Sequence, residues 1–214
     1  MIATAVVALA PISIVTVSAP PDVPYFPAGV FDSEDKQHND STDAVYSRYL
    51  RAMEEPSLSK LAKDDQTACA FRLLWVPSFH HRISVRIVKS GGKFVLHAVE
   101  LDGKEGEETG KVVVKKRANL TEDQWTWLLV YLERSRFWKT PTSVKMDLKT
   151  GIDQDGDQLV YEGVEEGKYH VVDRNGADLG YETICWYMLF LSGLDVKAAW
   201  LQYHSDDVFQ AIGR

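Results

Sequence analysis

The sequence predicts an α+β fold, with an antiparallel sheet (a four-strand meander plus a later hairpin) packed with two to four helices. Three observations predict it. Residues 67–117 hold four short apolar or alternating runs joined by turns, the pattern of an antiparallel meander. Two further runs flank Glu165-Glu166-Gly167, which reads as a second hairpin. Helical spacings fall between and after these runs with no βα alternation, which excludes a doubly wound sheet.

Each element has its own signal. Asp43 to Met53 reads as a short helix carrying Val45, Tyr49 and Leu50, ended by Pro56. Thr67 to Val76 is a short apolar run stopped by Pro77, a buried strand. Arg82 to Val88 alternates, with Ile83, Val85 and Ile87 on one side and Arg82, Ser84 and Arg86 on the other. Ser90-Gly91-Gly92 turns the chain into a strand over Lys93 to Leu101. A Gly- and Glu-rich loop follows, then a strand over Gly110 to Arg117. Thr121 and Gln124 make a capping box, with Leu120 and Trp125 at the hydrophobic-staple positions, so a helix runs to about Ser135. Gln158 to Val164 and Lys168 to Arg174 are the hairpin strands. Asp178 caps a helix bearing Tyr181, Ile184, Cys185, Met188 and Leu191, with Gly193 beyond its end, and a last helix spans Asp195 to Tyr203.

Composition places the chain in an ordinary globular class. Its 214 residues carry 24 Lys and Arg against 31 Asp and Glu, a formal charge of −7, with 45% hydrophobic content. That is too apolar for a disordered chain and long enough to fold without a metal or disulfide staple. The acidic balance argues against nucleic acid as a partner. No cofactor is expected, since the sequence holds no P-loop, G-x-G-x-x-G, G-x-S-x-G, C-x-x-C or H-E-x-x-H pattern.

The apolar residues are concentrated at the N-terminus. Residues 1–21 hold no charged side chain, and Ile2 to Ala19 is an apolar run about 27 Å long as a helix, close to one hydrocarbon core. A cleaved signal peptide, an uncleaved membrane anchor, part of a longer signal with a misplaced start, and a buried core element all fit it. The first two set the expectation of an exported or membrane-anchored protein of the cell envelope. Pro20, Pro21, Pro24 and Pro27 and the polar stretch to Asp43 then read as a linker. The expected organisation is a signal or anchor over residues 1–19, a Pro-rich linker over 20–43 and one α+β domain over 44–214.

The segments FRLLWVPSFH (71–80), LTEDQWTWLLVYLERSRFW (120–138), LVYEGVEEGKYHVVDR (159–174) and YETICWYMLFLSGL (181–194) occur in that order. The chain resembles an uncharacterised bacterial family with a Trp-containing helix followed by an "EG…YHVVDR" hairpin. The likeness covers about residues 70–194. It implies an exported or envelope setting and the α+β fold; no activity is known for the family, so no catalytic residue carries over. Asn175-Gly176-Ala177 follows Arg174 where an aromatic-Ser-Pro turn is the related pattern.

Five groups of residues are candidates for chemistry. With a three-residue loop at 165–167, Glu162 opposes His170 and shares a sheet face with Arg174. A Glu–His pair there suits a general base and its orienter, and Arg174 an anion. A cross-strand ion pair on a half-exposed sheet is the plainer account. Asp153, Asp155 and Asp157 suggest calcium, but Gly156 and Val164 fall where an EF-hand loop needs other residues, so a polar turn is favoured. His80 and His81 point to opposite faces of a strand, and no metal spacing joins them to Cys69, His97 or His170. Cys69 and Cys185 are the one pair able to form a disulfide, and two buried thiols explain them equally well. Lys111, Lys115, Lys116 and Arg117, with Arg82 and Arg86 nearby, form a basic cluster that suits anionic lipid or polymer, with a solvated edge strand protected by lysines the favoured account. The expectation is a non-catalytic envelope accessory or binding protein. A hydrolase-like enzyme using Glu162, His170 and Arg174, and an immunity-type protein that neutralises a toxin, are the alternatives.

Overall fold

A computed structural model describes residues 24–32, 34–103, 109–143, 156–175, 179–201 and 203. Its core is a six-stranded antiparallel sheet with helices on both faces. The strands are β1 (Cys69–Pro77), β2 (Arg82–Ser90), β3 (Lys93–Leu101), β4 (Val112–Leu120), β5 (Asp157–Glu165) and β6 (Lys168–Asn175). They lie in the order β4-β3-β2-β1-β5-β6, so the meander grows outward from β1 and the hairpin adds on its other side. The α+β class, the meander and the hairpin expected from the sequence are all present. β1 is covered on both faces, which is why its run is apolar almost without alternation.

One face is packed by α3 (Glu122–Arg134), a 3-10 turn at Phe137–Lys139, α4 (Leu179–Ser192) and α5 (Lys197–Trp200). α3 starts as its sequence predicts: Gln124 N–H donates to Thr121 Oγ1 at 3.1 Å, and Thr121 N–H to Gln124 Oε1 at 2.9 Å. Trp125 then stacks on Phe94 of β3, with ring centroids 5.0 Å apart. Phe71, Leu73, Trp75, Ile83 and Tyr161 supply the sheet side of this core.

The other face is packed by α1 (Lys36–Ala52), α2 (Leu58–Asp64) and the stretch before α1. Here the structure corrects the expected linker over residues 20–43 in its described part, residues 24–32 and 34–43. Tyr25, Phe26 and Phe31 are buried with Tyr46, Tyr49 and Leu50, and the Phe31 ring meets Tyr46 edge-on at 5.5 Å. The helix begins at Lys36 rather than Asp43. Asp35 caps it, accepting from His38 N–H at 2.9 Å, and the buried Asn39 carbonyl accepts from Phe31 N–H at 3.1 Å. These polar residues satisfy backbone groups, so the stretch is structured although it has no apolar period. α2 is a further element that the sequence pattern did not separate from its surroundings. Among the described residues no helix is long and apolar enough to cross a membrane; the apolar run at 2–19 lies outside them.

The two sheet edges differ. At β6, Asp173 N–H donates to Thr142 O at 2.7 Å, so the segment after the 3-10 turn lies along that edge. At β4, no other strand pairs with the outer side among the described residues, and most of its side chains are exposed.

Candidate functional site

The β5–β6 hairpin turns on Glu166 and Gly167 alone, with φ of 51° and 72°. Two positive φ values make the tight turn that matches strand twist, and Glu165 then pairs directly with Lys168. The expected three-residue loop is therefore wrong by one position. Glu162 lies opposite Val171, and His170 lies opposite Gly163. Because side chains alternate, Glu162 points to the α1/α2 face while His170 and Arg174 point to the α3/α4 face. The expected Glu162–His170–Arg174 grouping does not form.

His170 and Arg174 fasten the chain along β6. The His170 Nε2–H donates to Thr140 O at 2.9 Å, and its ring sits 5.0 Å from Phe137. Burial, with Arg174 nearby, depresses the His170 pKa below the usual histidine value, which suits a neutral donor. Arg174 donates to Pro141 O at 2.6 Å and Thr142 O at 2.8 Å.

Glu162 belongs to a polar row that crosses the sheet. Directly paired positions run Glu162, Arg72, Arg86, His97, Arg117 over β5, β1, β2, β3 and β4. The inner end is fully buried. Arg72 Nε donates to Glu162 Oε2 at 2.7 Å, its Nη2 donates to the same oxygen, and Nη1 donates to Pro56 O at 2.6 Å. Tyr169 donates to Glu162 Oε1 at 2.9 Å. Glu55 lies between the two arginines, 3.5 Å from Arg72 Nη1 and accepting from Arg86 Nε at 2.6 Å. Burial alone would lower the Arg72 pKa, but Glu162 and Glu55 together lift it above its usual value. The buried row is thus two carboxylates shared between two guanidinium groups.

The outer end is open. Arg117 is exposed, and His97 is half-buried between Arg86 and Arg117. Burial, then the positive charges of Arg86, Arg117 and Lys115, hold the His97 pKa below its usual value. Lys115 sits two residues from Arg117 on the same face and pairs with Glu54 at 2.6 Å. An open depression of about 490 Å³ adjoins Arg117, lined also by Lys93, Val95, Asn119 and one acid, Glu122. The arrangement can take up negative charge at Arg117, which has no ion pair among the described residues, whereas Arg86 and Lys115 beside His97 are paired with Glu55 and Glu54.

The remaining candidates separate. Cys69 and Cys185 are not joined in a disulfide, and burial pushes the Cys69 thiol up to about 11. His81 bonds Glu100 at 2.6 Å, and His80 lies edge-on to Tyr203. No group of metal-ligating side chains occurs among the described residues. Asp157 is buried and accepts from Trp75 Nε1; Asp153 and Asp155 lie outside the described residues. The basic cluster divides: Lys115 and Arg117 face the α1/α2 side, whereas Lys116 donates to Gly193 O on the other. Arg82 is buried beneath Tyr49, its guanidinium 4.4 Å from the ring. The row escaped notice in the sequence although one signal for it was present. Arg72 interrupts an otherwise apolar strand, and a buried charge is most often paired with an opposite one.

No family model, curated protein or solved structure matches the chain. The likeness noted in the sequence rests on the quoted segments alone.

Proposed function

We propose that the protein is a non-catalytic binding or accessory protein of the cell envelope, and that it recognises an anionic group on the open part of its α1/α2 sheet face. The observation that carries this is the asymmetry of the polar row. Its acids are engaged at the buried end, and Arg117 and His97 stand at the solvent end. Glu162 is 0% exposed with both oxygens engaged, so it supports a framework role and not proton transfer to a substrate. The apolar run at 2–19 supports the envelope part of the reading.

Two measurements test it. Titrating the protein at low ionic strength with polyglutamate, while following the His97 ring by NMR, should give a saturable shift that Arg117→Ala weakens. An unmoved His97 signal overturns the anion reading. Fractionating cells that express the full chain, or a form lacking residues 1–21, should place only the full chain in the envelope. Finding both in the cytosol overturns that part.

A further inference from the structure

We propose that the partner is an acidic polypeptide segment in extended conformation, which adds as a further strand to the outer edge of β4 and places carboxylates two residues apart on Lys115 and Arg117. The inference rests on the anion reading above and names the class of ligand. Three observations lead to it. β4 is nine residues long and pairs only with β3 among the described residues, so its outer N–H and C=O groups face outward as a template. The opposite edge is engaged by the segment at Thr142, which leaves β4 as the edge with no partner strand among the described residues. Lys115 and Arg117 project from the same face of this edge strand, at a separation of about 7 Å set by strand geometry.

Charge and spacing choose the occupant. An added strand repeats the period of its neighbour, so acidic residues at alternate positions fall in line with Lys115 and Arg117. His97 lies beside Arg117 on β3, so a carboxylate drawn to Arg117 changes the charge around the His97 ring and makes it the reporter. Lys115 is paired with Glu54 at 2.6 Å in an exposed ion pair, so a peptide carboxylate takes its place there by exchange with Glu54, while Arg117 offers the unshared charge among the described residues. Val112 and Val113, both exposed at the start of the strand, offer apolar contact to the end of a peptide but nothing to a small anion. A membrane surface would satisfy the charges and leave the edge ladder unmade, so the peptide uses more of what the edge presents.

The test is a titration of the full-length protein with a short capped peptide that alternates glutamate and threonine, read by amide and His97 NMR shifts. Expected are shifts along β4, binding weakened by salt, and an affinity about tenfold lower for Arg117→Ala, as loss of one charge-assisted contact implies. A peptide with N-methylated amides keeps its charges but cannot complete the ladder, and should also bind at least about tenfold more weakly. Equal binding of the methylated peptide overturns strand addition and leaves the anion reading standing. Failure of both the peptide and polyglutamate to move His97 overturns both. Binding to phosphatidylserine vesicles that the peptide does not displace, or self-association through β4 without peptide, overturns the choice of occupant.

Discussion

Two buried arginines on one sheet face behave oppositely because their surroundings differ. Arg72 lies between Glu162 and Glu55, and removing it strands two carboxylates in the core. Arg72→Met should cost about 3–5 kcal/mol in denaturant unfolding. Arg82 is 1% exposed, with no hydrogen-bond partner for Nε or Nη1 and no ion pair among the described residues. Its contact with the Tyr49 ring is worth about 2 kcal/mol at most, against a desolvation cost of several kcal/mol. Arg82→Met should therefore raise stability, by about 1 kcal/mol or more, and a loss in the same assay would contradict it. Asp173 supplies a pH signature. Burial raises its pKa to about 6, partly opposed by the Tyr46 hydroxyl that donates at 3.1 Å. The folded state thus holds this proton more tightly than the unfolded chain does, and stability falls as pH rises from about 4 to 6. The effect is at most about 3 kcal/mol, trimmed by partial exposure. Asp173→Asn should flatten that part of the pH–stability curve and gain stability at neutral pH.

At the scale of elements, the β5–β6 hairpin shows what one turn position decides. Glu166 adopts a left-handed conformation that glycine and asparagine accept more readily. Glu166→Asn should stabilise the fold by about 0.5–1 kcal/mol, read as a raised thermal midpoint. Gly163 in the same hairpin has no room for a side chain: a Cβ there would stand 2.6 Å from Phe137 Cε1. Gly163→Ala should cost about 1–3 kcal/mol by displacing the ring. Much of this architecture was legible beforehand. Alternation marked β2, the capping box marked α3 and paired glycines marked the β2–β3 turn, because each leaves a local pattern. The hairpin register did not, since Glu165, Glu166 and Gly167 are compatible with a loop of two or three residues. That single ambiguity moved Glu162 to the opposite face from His170. The buried end of the polar row was hidden for another reason: Glu162 meets Arg72 only through the β1–β5 pairing, which joins strands distant in sequence, whereas Arg86, His97 and Arg117 follow along the meander.

Across the whole molecule, the open cationic edge depends on a segment that composition alone marked as a spacer. Tyr25 donates to Glu55 O at 2.6 Å, and Ser57 and Ser59 each donate to Tyr25 O at 2.7 Å. These bonds fix the junction between α1 and α2, and Glu55 at that junction holds Arg72 and Arg86. Phe26 and Phe31 anchor the segment against Tyr46, only 2% exposed each. Prolines and a polar tract obscured this from sequence, because three aromatic anchors spaced unevenly among turns carry no period. A spacer would tolerate their loss. Packed as they are, Phe26→Ala and Phe31→Ala should each cost about 3–5 kcal/mol in equilibrium unfolding. Phe31→Ala should also loosen Glu55, so the His97 ring signal should shift in the variant while it is still folded. Unchanged stability in both variants would return residues 24–31 to the role of linker. A stability loss with an unmoved His97 signal would show that the segment supports the core without setting the row.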